Sequence, residues 1–192
     1  MEPQIFIGSS SESLDYAYAI QENLQSVGKV TVWDQGIFRL NNSTLDDLIR
    51  ALDKMDFAIF VFSPNDTIIM RNKESQAVRD NVIFEFGLFI GKLGKERSFF
   101  LTPQNSDSLH LPSDLLGIKA AKYDSGRDDL VAALGPACNE ISRMIKTAGI
   151  RNESKINIIQ SQKDVYTYVF NRLNPYQDIS LTHDFLRNLP SD

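Results

Sequence analysis

Between Arg79 and Gly91 the chain reads R-D-N-V-I-F-E-F-G-L-F-I-G, and a single acid, Glu85, stands among Val82, Ile83, Phe84, Phe86, Leu88, Phe89 and Ile90. As a helix this run is apolar on every side and is predicted to be buried in its first turns, with Asp80 or Asn81 capping its start. The helical neighbours of Glu85 are Asn81, Val82, Leu88 and Phe89. A carboxylate in that company costs free energy unless it has partners. Two readings follow. Either Glu85 lies at the helix edge or pairs with Arg79, or it faces a cleft and does chemistry.

Few other residues offer chemistry. The sequence has no G-x-G-x-x-G, no phosphate-binding Walker loop and no paired Cys or His at metal-ligand spacing. His110 and His183 stand far apart, in loop-like and tail contexts. Cys138 falls in an amphipathic helical pattern and reads as a small buried hydrophobe. Ser9 and Ser10 have no basic partner nearby, which argues against a hydrolase nucleophile. They read as hydroxyl and backbone donors at a helix N-terminus, suited to a phosphate or ribose. The S-x-x-E spacing of Ser9 and Glu12 equally fits a capping box, and both roles can coexist.

The elements that must position these residues alternate. Gln4–Ile7, Val30–Trp33, Phe57–Phe62, Ser98–Leu101 and Ile118–Tyr123 read as strands, the third the strongest and the last at an edge. Helices are predicted after Ser9 (core face Leu14, Ala17, Ile20, Leu24, Val27) and from Ser43 (Leu45, Leu48, Ile49, Leu52, Met55). Others follow from Arg79, briefly at Leu111–Leu116, and over Asp128–Lys146 (Leu130, Leu134, Ile141, Ile145). A polar loop is expected through Lys73, Glu74 and Ser75. The pattern is that of an α/β protein with an open five-stranded parallel sheet covered on both faces, in flavodoxin-like strand order 2-1-3-4-5. Ligands bind such sheets at the carboxyl ends of the strands, where the winding reverses. Three loops converge there: Gly8-Ser9-Ser10, Trp33-Asp34 and Ser63-Pro64-Asn65-Asp66. Residues 1–149 read as this domain. Residues 150–192 read as a linker (Arg151–Lys155) and a helical appendage near Ser161–Leu173 and Thr182–Leu189, or as the start of a further domain.

Composition narrows the class. With 42% hydrophobic and 23% charged residues in a 192-residue chain, a soluble domain with a real core is expected. A net charge of −5 argues against a nucleic-acid partner and against an electrostatic membrane anchor. The single cysteine fits a reducing compartment. No run approaches the ~20 apolar residues of a membrane span, and Met1–Gly8 lacks the basic start of a signal peptide. A cytoplasmic location is the expectation.

Three segments carry a resemblance: F-I-G-S-S-S-E, D-F-A-I-F-V-F-S-P-N-D and R-D-N-V-I-F-E-F-G-L-F-I-G-K-L-G. Over about residues 4–147 the chain resembles the bacterial TIR-like family, whose TIR domains serve as effectors in cyclic-nucleotide anti-phage systems of the CBASS and Pycsar types. The third segment is the most specific. The resemblance implies a TIR-like fold and an NAD⁺ glycohydrolase switched on when TIR domains assemble into a homo-oligomer. A sensor domain or cyclic-nucleotide-responsive partner drives that assembly. NAD⁺ is then the substrate and no cofactor is implied. The catalytic glutamate corresponds to Glu85, although Phe86 stands where the family usually has leucine. Arg79 and Asn81 match the polar lead-in, and Asp66 matches the acid after the third strand.

The chemistry agrees with the residues. Nicotinamide leaves NAD⁺ as a neutral molecule, so no general acid is needed. One carboxylate must hold the ribose hydroxyls and stabilise, or trap, an oxocarbenium-like centre. With Glu85 as the catalytic group, Phe6, Gly8, Ser9, Ser10, Trp33, Asp34, Asp66, Arg79 and Asn81 are the candidate substrate-binding residues, with Trp33 or Phe6 as a stacking platform or as core. Three rivals stand beside this reading. One is a nucleoside deoxyribosyltransferase-like enzyme with a glutamate nucleophile. Another is a non-enzymatic TIR interaction module in which Glu85 is structural, and the last is a domain that binds a nucleotide signal itself.

Overall fold

The chain's strands are short, and those at the centre of the sheet are apolar runs buried on both faces. In the computed structural model, which describes residues 1–37, 43–70, 72–106, 109–115 and 117–151, five of them pair in parallel. They are Gln4–Gly8 (β1), Lys29–Val32 (β2), Phe57–Val61 (β3), Ser98–Pro103 (β6) and Ala121–Tyr123 (β7), in the order β2-β1-β3-β6-β7. This is the flavodoxin-like order expected from the sequence, with the winding reversed between β1 and β3. The fifth strand is shorter than expected, beginning at Ala121 rather than Ile118. Residues Met1–Arg151 form one compact unit. Residues 38–42, and the predicted appendage from Asn152 on, lie outside the described residues.

Alternation along the strands sorts two cores. Ile5, Ile7, Phe57, Ile59, Val61, Phe99 and Leu101 face helices Leu14–Leu24 (α1) and Leu130–Ala148 (α4), meeting Ile20, Leu24, Leu134, Ile141 and Ile145. Phe6, Ala58, Phe60, Phe62 and Phe100 face helices Thr44–Lys54 (α2) and Asp80–Leu93 (α3), meeting Leu48, Leu52, Val82, Phe86 and Phe89. Cys138 is buried in the first core, as read from its pattern, and burial pushes its thiol up to about 12. On the second face the rings interlock: Phe6 stacks on Phe89 with centroids 4.5 Å apart, and Phe60 meets Phe86 and Phe89 edge-on at 5.4 Å each. Pairs of this kind contribute about 0.5–1.5 kcal/mol each beyond their buried area.

Several expectations are corrected. Leu45 and Ile49 were expected in the core, but both are exposed, because α2 turns Asp47, Leu48, Ala51 and Leu52 inward. The α3 helix is not buried all round: Phe84 is 56% exposed, and Asp80, Asn81, Gly87 and Gly91 complete a solvent-facing side. Neither Asp80 nor Asn81 caps it. Arg79 holds the N-cap position with no side-chain cap, and Asp80 Oδ1 accepts from the Asn81 N–H instead. The Ser9–Glu12 capping box is also absent, since a 3₁₀ turn at Ser11–Ser13 precedes α1. Finally, the expected polar loop through Lys73–Ser75 is the second strand of an antiparallel hairpin, Asp66–Met70 (β4) with Lys73–Ala77 (β5). Its turn carries Asn72 at φ 62°, the left-handed region that Asn tolerates.

Gly8 shows what the packing demands. A Cβ built there would lie 2.3 Å from the Phe60 ring, so the ring occupies the space a side chain needs. Gly8→Ala is expected to destabilise the domain by about 1–3 kcal/mol in chemical denaturation. In a Phe60→Leu background the same change should cost less, and an equal cost there would show that the clash is not the cause.

Candidate functional site at the carboxyl edge of the sheet

The α3 helix lies in the crossover between the parallel strands β3 and β6, after the β4–β5 hairpin, so its first turns lie at the carboxyl edge of the sheet. Val82, Phe86, Phe89 and Leu93 face the strands. One flank of α3 faces α2, because Lys92 Nζ lies 2.7 Å from Asp53 Oδ1. Glu85 is seven residues earlier, two turns back on that flank and ~10 Å nearer the carboxyl edge. It also lies one turn before Phe89, whose ring rests on Phe6 of β1. These relations set Glu85 at the carboxyl edge beside β1, near the point where the winding reverses.

Glu85 is half-buried. Among the described residues its carboxylate makes no hydrogen bond or ion pair, and Arg79, the partner a structural reading offers, is engaged elsewhere. Burial alone pushes its carboxyl up to about 7. Near neutral pH such a group exchanges protons readily, and as an anion in a water-poor site it acts strongly on positive charge.

The loops around it are tied by polar contacts. Trp33 Nε1 donates to Ser9 Oγ at 3.0 Å, joining the ends of β2 and β1. Ser10 Oγ and Ser13 Oγ donate to Asn65 Oδ1 at 2.9 and 3.1 Å, joining β1 to the loop after β3. Outside these, the Arg79 guanidinium bonds Glu12 and lies 3.7 Å from Asp66. The Glu12 carboxyl is held below its usual range, first by its own backbone N–H and then, against some desolvation, by Arg79.

The candidate residues therefore divide. Ser9, Ser10, Trp33, Asp66 and Arg79 are brought to one edge with Glu85, but their polar groups are largely occupied by one another. Ser9 and Ser10 are buried, so their hydroxyls shape the loop rather than stand free for a ligand. Asn81 is exposed one turn before Glu85 on α3. Phe6 and Gly8 lie beneath the site: Phe6 is wholly buried with its ring against Phe89, and presents no free face for stacking. Asp34 is not brought to Glu85. It bonds the Tyr18 hydroxyl of α1, on the opposite face of the sheet.

Residues absent from the sequence-based candidates also shape the edge. Asn65, Ser13 and Glu12 supply the ties, and the placement of Asn65 just past the strongest strand was the available signal. Asp47 is buried on α2 and pairs with Arg50 at 2.9 Å. Its spacing from Ala51 puts it on the inward side of the helix, a signal legible in T-L-D-D-L-I-R-A-L.

Comparison with known proteins identifies the family. Residues 4–125 match the family model described as CAP12/Pycsar effector protein, TIR domain. The chain is 42% identical over 148 residues to the Pycsar effector protein PaPycTIR of Pseudomonas aeruginosa, covering 76% of this chain and 48% of that protein. It is 37% identical over 148 residues to BcPycTIR of Burkholderia cepacia, with 76% and 48% covered. It is 38% identical over 147 residues to CD-NTase-associated protein 12 of Flavobacterium daejeonense, with 77% and 46% covered. The parallel sheet wound in this order is that of a TIR domain, and the chain belongs to the CAP12/Pycsar effector TIR family. It spans about half the length of the curated relatives it matches. Among the described residues no helix is long and apolar enough to cross a membrane.

Holding half-buried an acid that has no partner among the described residues has a stability consequence. The folded carboxyl titrates near 7, above the unfolded value of about 4.3. The folded state therefore binds the extra proton between these values, and stability falls as pH rises through that window, then levels off above it. Glu85→Gln, which removes the charge and keeps the shape, should melt a few degrees higher than the parent at pH 8. The gap should close toward pH 5. Equal melting temperatures at pH 8 would show that the carboxylate has a compensating partner.

Proposed function

We propose that this chain is the TIR module of an anti-phage effector that cleaves NAD⁺ at the nicotinamide–ribose bond when it assembles, with Glu85 as the catalytic carboxylate. The observation that carries the reading is Glu85 itself: a half-buried acid with no partner among the described residues, at the switch point of the sheet, titrating near neutrality. Family membership and the N-V-I-F-E-F-G context support it, as do relatives named as Pycsar effectors and CD-NTase-associated proteins.

The residues suit the reaction. The bond to be broken joins a cationic ring nitrogen to the ribose, and the electrons of that bond leave with nicotinamide, which departs neutral. Positive charge develops at the ribose carbon. A carboxylate at that carbon stabilises it electrostatically or bonds to it, and water completes the hydrolysis. The site needs no acid for the leaving group. Assembly through TIR–TIR contacts, driven by a partner that responds to a cyclic nucleotide, is part of the proposal.

NAD⁺ consumption by assembled protein, read as nicotinamide release, tests it. Glu85→Ala and Glu85→Gln should fold and lose at least about 10²-fold in turnover, the scale of removing one key electrostatic group. Because the ionised form is the active one, the rate of the parent should climb with pH through about 7 and then level. Protein that assembles but leaves NAD⁺ intact would instead favour an interaction module. Base exchange on a deoxynucleoside would favour a deoxyribosyltransferase.

A further inference from the structure

Along the carboxyl edge the loops after three strands are fastened in a row: Trp33 to Ser9, then Ser10 and Ser13 to Asn65. Asn65 is the only member of this row that belongs to the loop after β3. Its backbone N–H donates to Ser63 O at 2.9 Å, folding the chain back at Pro64 so that the side chain returns toward β1. Ser63 in turn is buried with its hydroxyl 3.4 Å from the Tyr123 hydroxyl, which fixes the base of the loop to β7. The two hydroxyls that meet Asn65 are themselves buried, Ser10 at 4% and Ser13 at 1% exposure. They have no water to turn to, so their bonds to Asn65 are strongly held. The parallel outer tie, Glu12 to Arg79 to Asp66, is half-exposed and screened by solvent.

We propose that Asn65 is a positioning residue for substrate binding: it holds the Ser9–Ser13 turn against the loop after β3, and so sets the shape of the edge on which the dinucleotide lies. This rests on the NAD⁺ reading above. Glu85 is held independently, by the phenylalanine layer beneath α3. Loosening the turn therefore affects how the substrate is bound more than how the bond is broken.

The test is a double-mutant cycle on the full chain under assembling conditions. Ser13 is too deeply buried to touch a substrate, so its effect on binding can travel only through its neighbours. Ser13→Ala, which removes one hydrogen bond, and Asn65→Ala, which removes two, should each raise KM for NAD⁺ at least roughly threefold, with Asn65→Ala the larger. Turnover at saturation should stay within about twofold. The double variant should be no worse than Asn65→Ala alone, because both changes break the same tie. Additive effects, a Ser13→Ala variant with unchanged KM, or a loss in kcat with KM unchanged would each overturn the proposal. Hydrogen exchange separates this from failure of the enzymatic reading. Even if the parent releases no nicotinamide, Asn65→Ala should speed exchange of the amides of residues 10–13 about tenfold while those of α4 keep their protection. Unchanged exchange in the turn would overturn the tie itself.

Discussion

The contact on which the rest of the structure depends is the Phe60 ring lying over Gly8. It joins β3 to β1 at the centre of the sheet, in the register that pairs Gly8 with Phe60. The same ring meets Phe6, Phe86 and Phe89, and so fixes α3 to the strands beneath it. Only glycine leaves room for it. The placement of Glu85 follows from this layer, because a helix pinned by Phe86 and Phe89 has no freedom to turn its intervening flank. An acid can then be kept in a costly environment by apolar contacts that never touch it.

The polar groups of the edge follow a different rule. Asp66 and Glu12 share Arg79, Asp47 has Arg50, and the buried serines have Asn65 or Trp33. Glu85 stands apart from these pairings, its carboxyl raised by burial with no cation against it among the described residues. Local energetics favour relieving such a group, by a partner or by exposure. Such a group at the carboxyl edge of an open α/β sheet marks a candidate functional site. Arg79 makes the same point from the other side: its charge is spent on joining the start of α3 to the turn before α1.

Much of the fold was legible because period-2 and period-3.6 patterns are strong when burial is deep. Phe57–Val61 is apolar throughout and lies at the centre of the sheet, and Leu134, Ile141 and Ile145 line the inner face of α4 as their spacing implies. The failures lie where pattern and burial part company. The β4–β5 hairpin projects Ile69 into solvent, at 75% exposure, and its second strand is polar, so no apolar alternation marks it. In α2, apolar Leu45 and Ile49 compete with Leu48 and Leu52 for the inward side, and the helix satisfies only one set.

By itself the sequence determined the class of the protein: the five strands of the parallel sheet and the helices that cover it, their winding order, and that one acid sits within an apolar helix. Those features are encoded locally, in runs of side chains whose transfer from water sets their conformation. It also singled out Glu85, since an isolated charge among phenylalanines is conspicuous without coordinates. Only the tertiary structure decided which candidates share a site with it. Phe6 became floor, Asp34 turned to the other face of the sheet, Arg79 became a tie, and Asn65 emerged as the link between two loops. Contacts such as Asn65 with Ser10 and Ser13 span more than fifty residues. Their partners are chosen by the packing of the sheet and not by any neighbour in the chain.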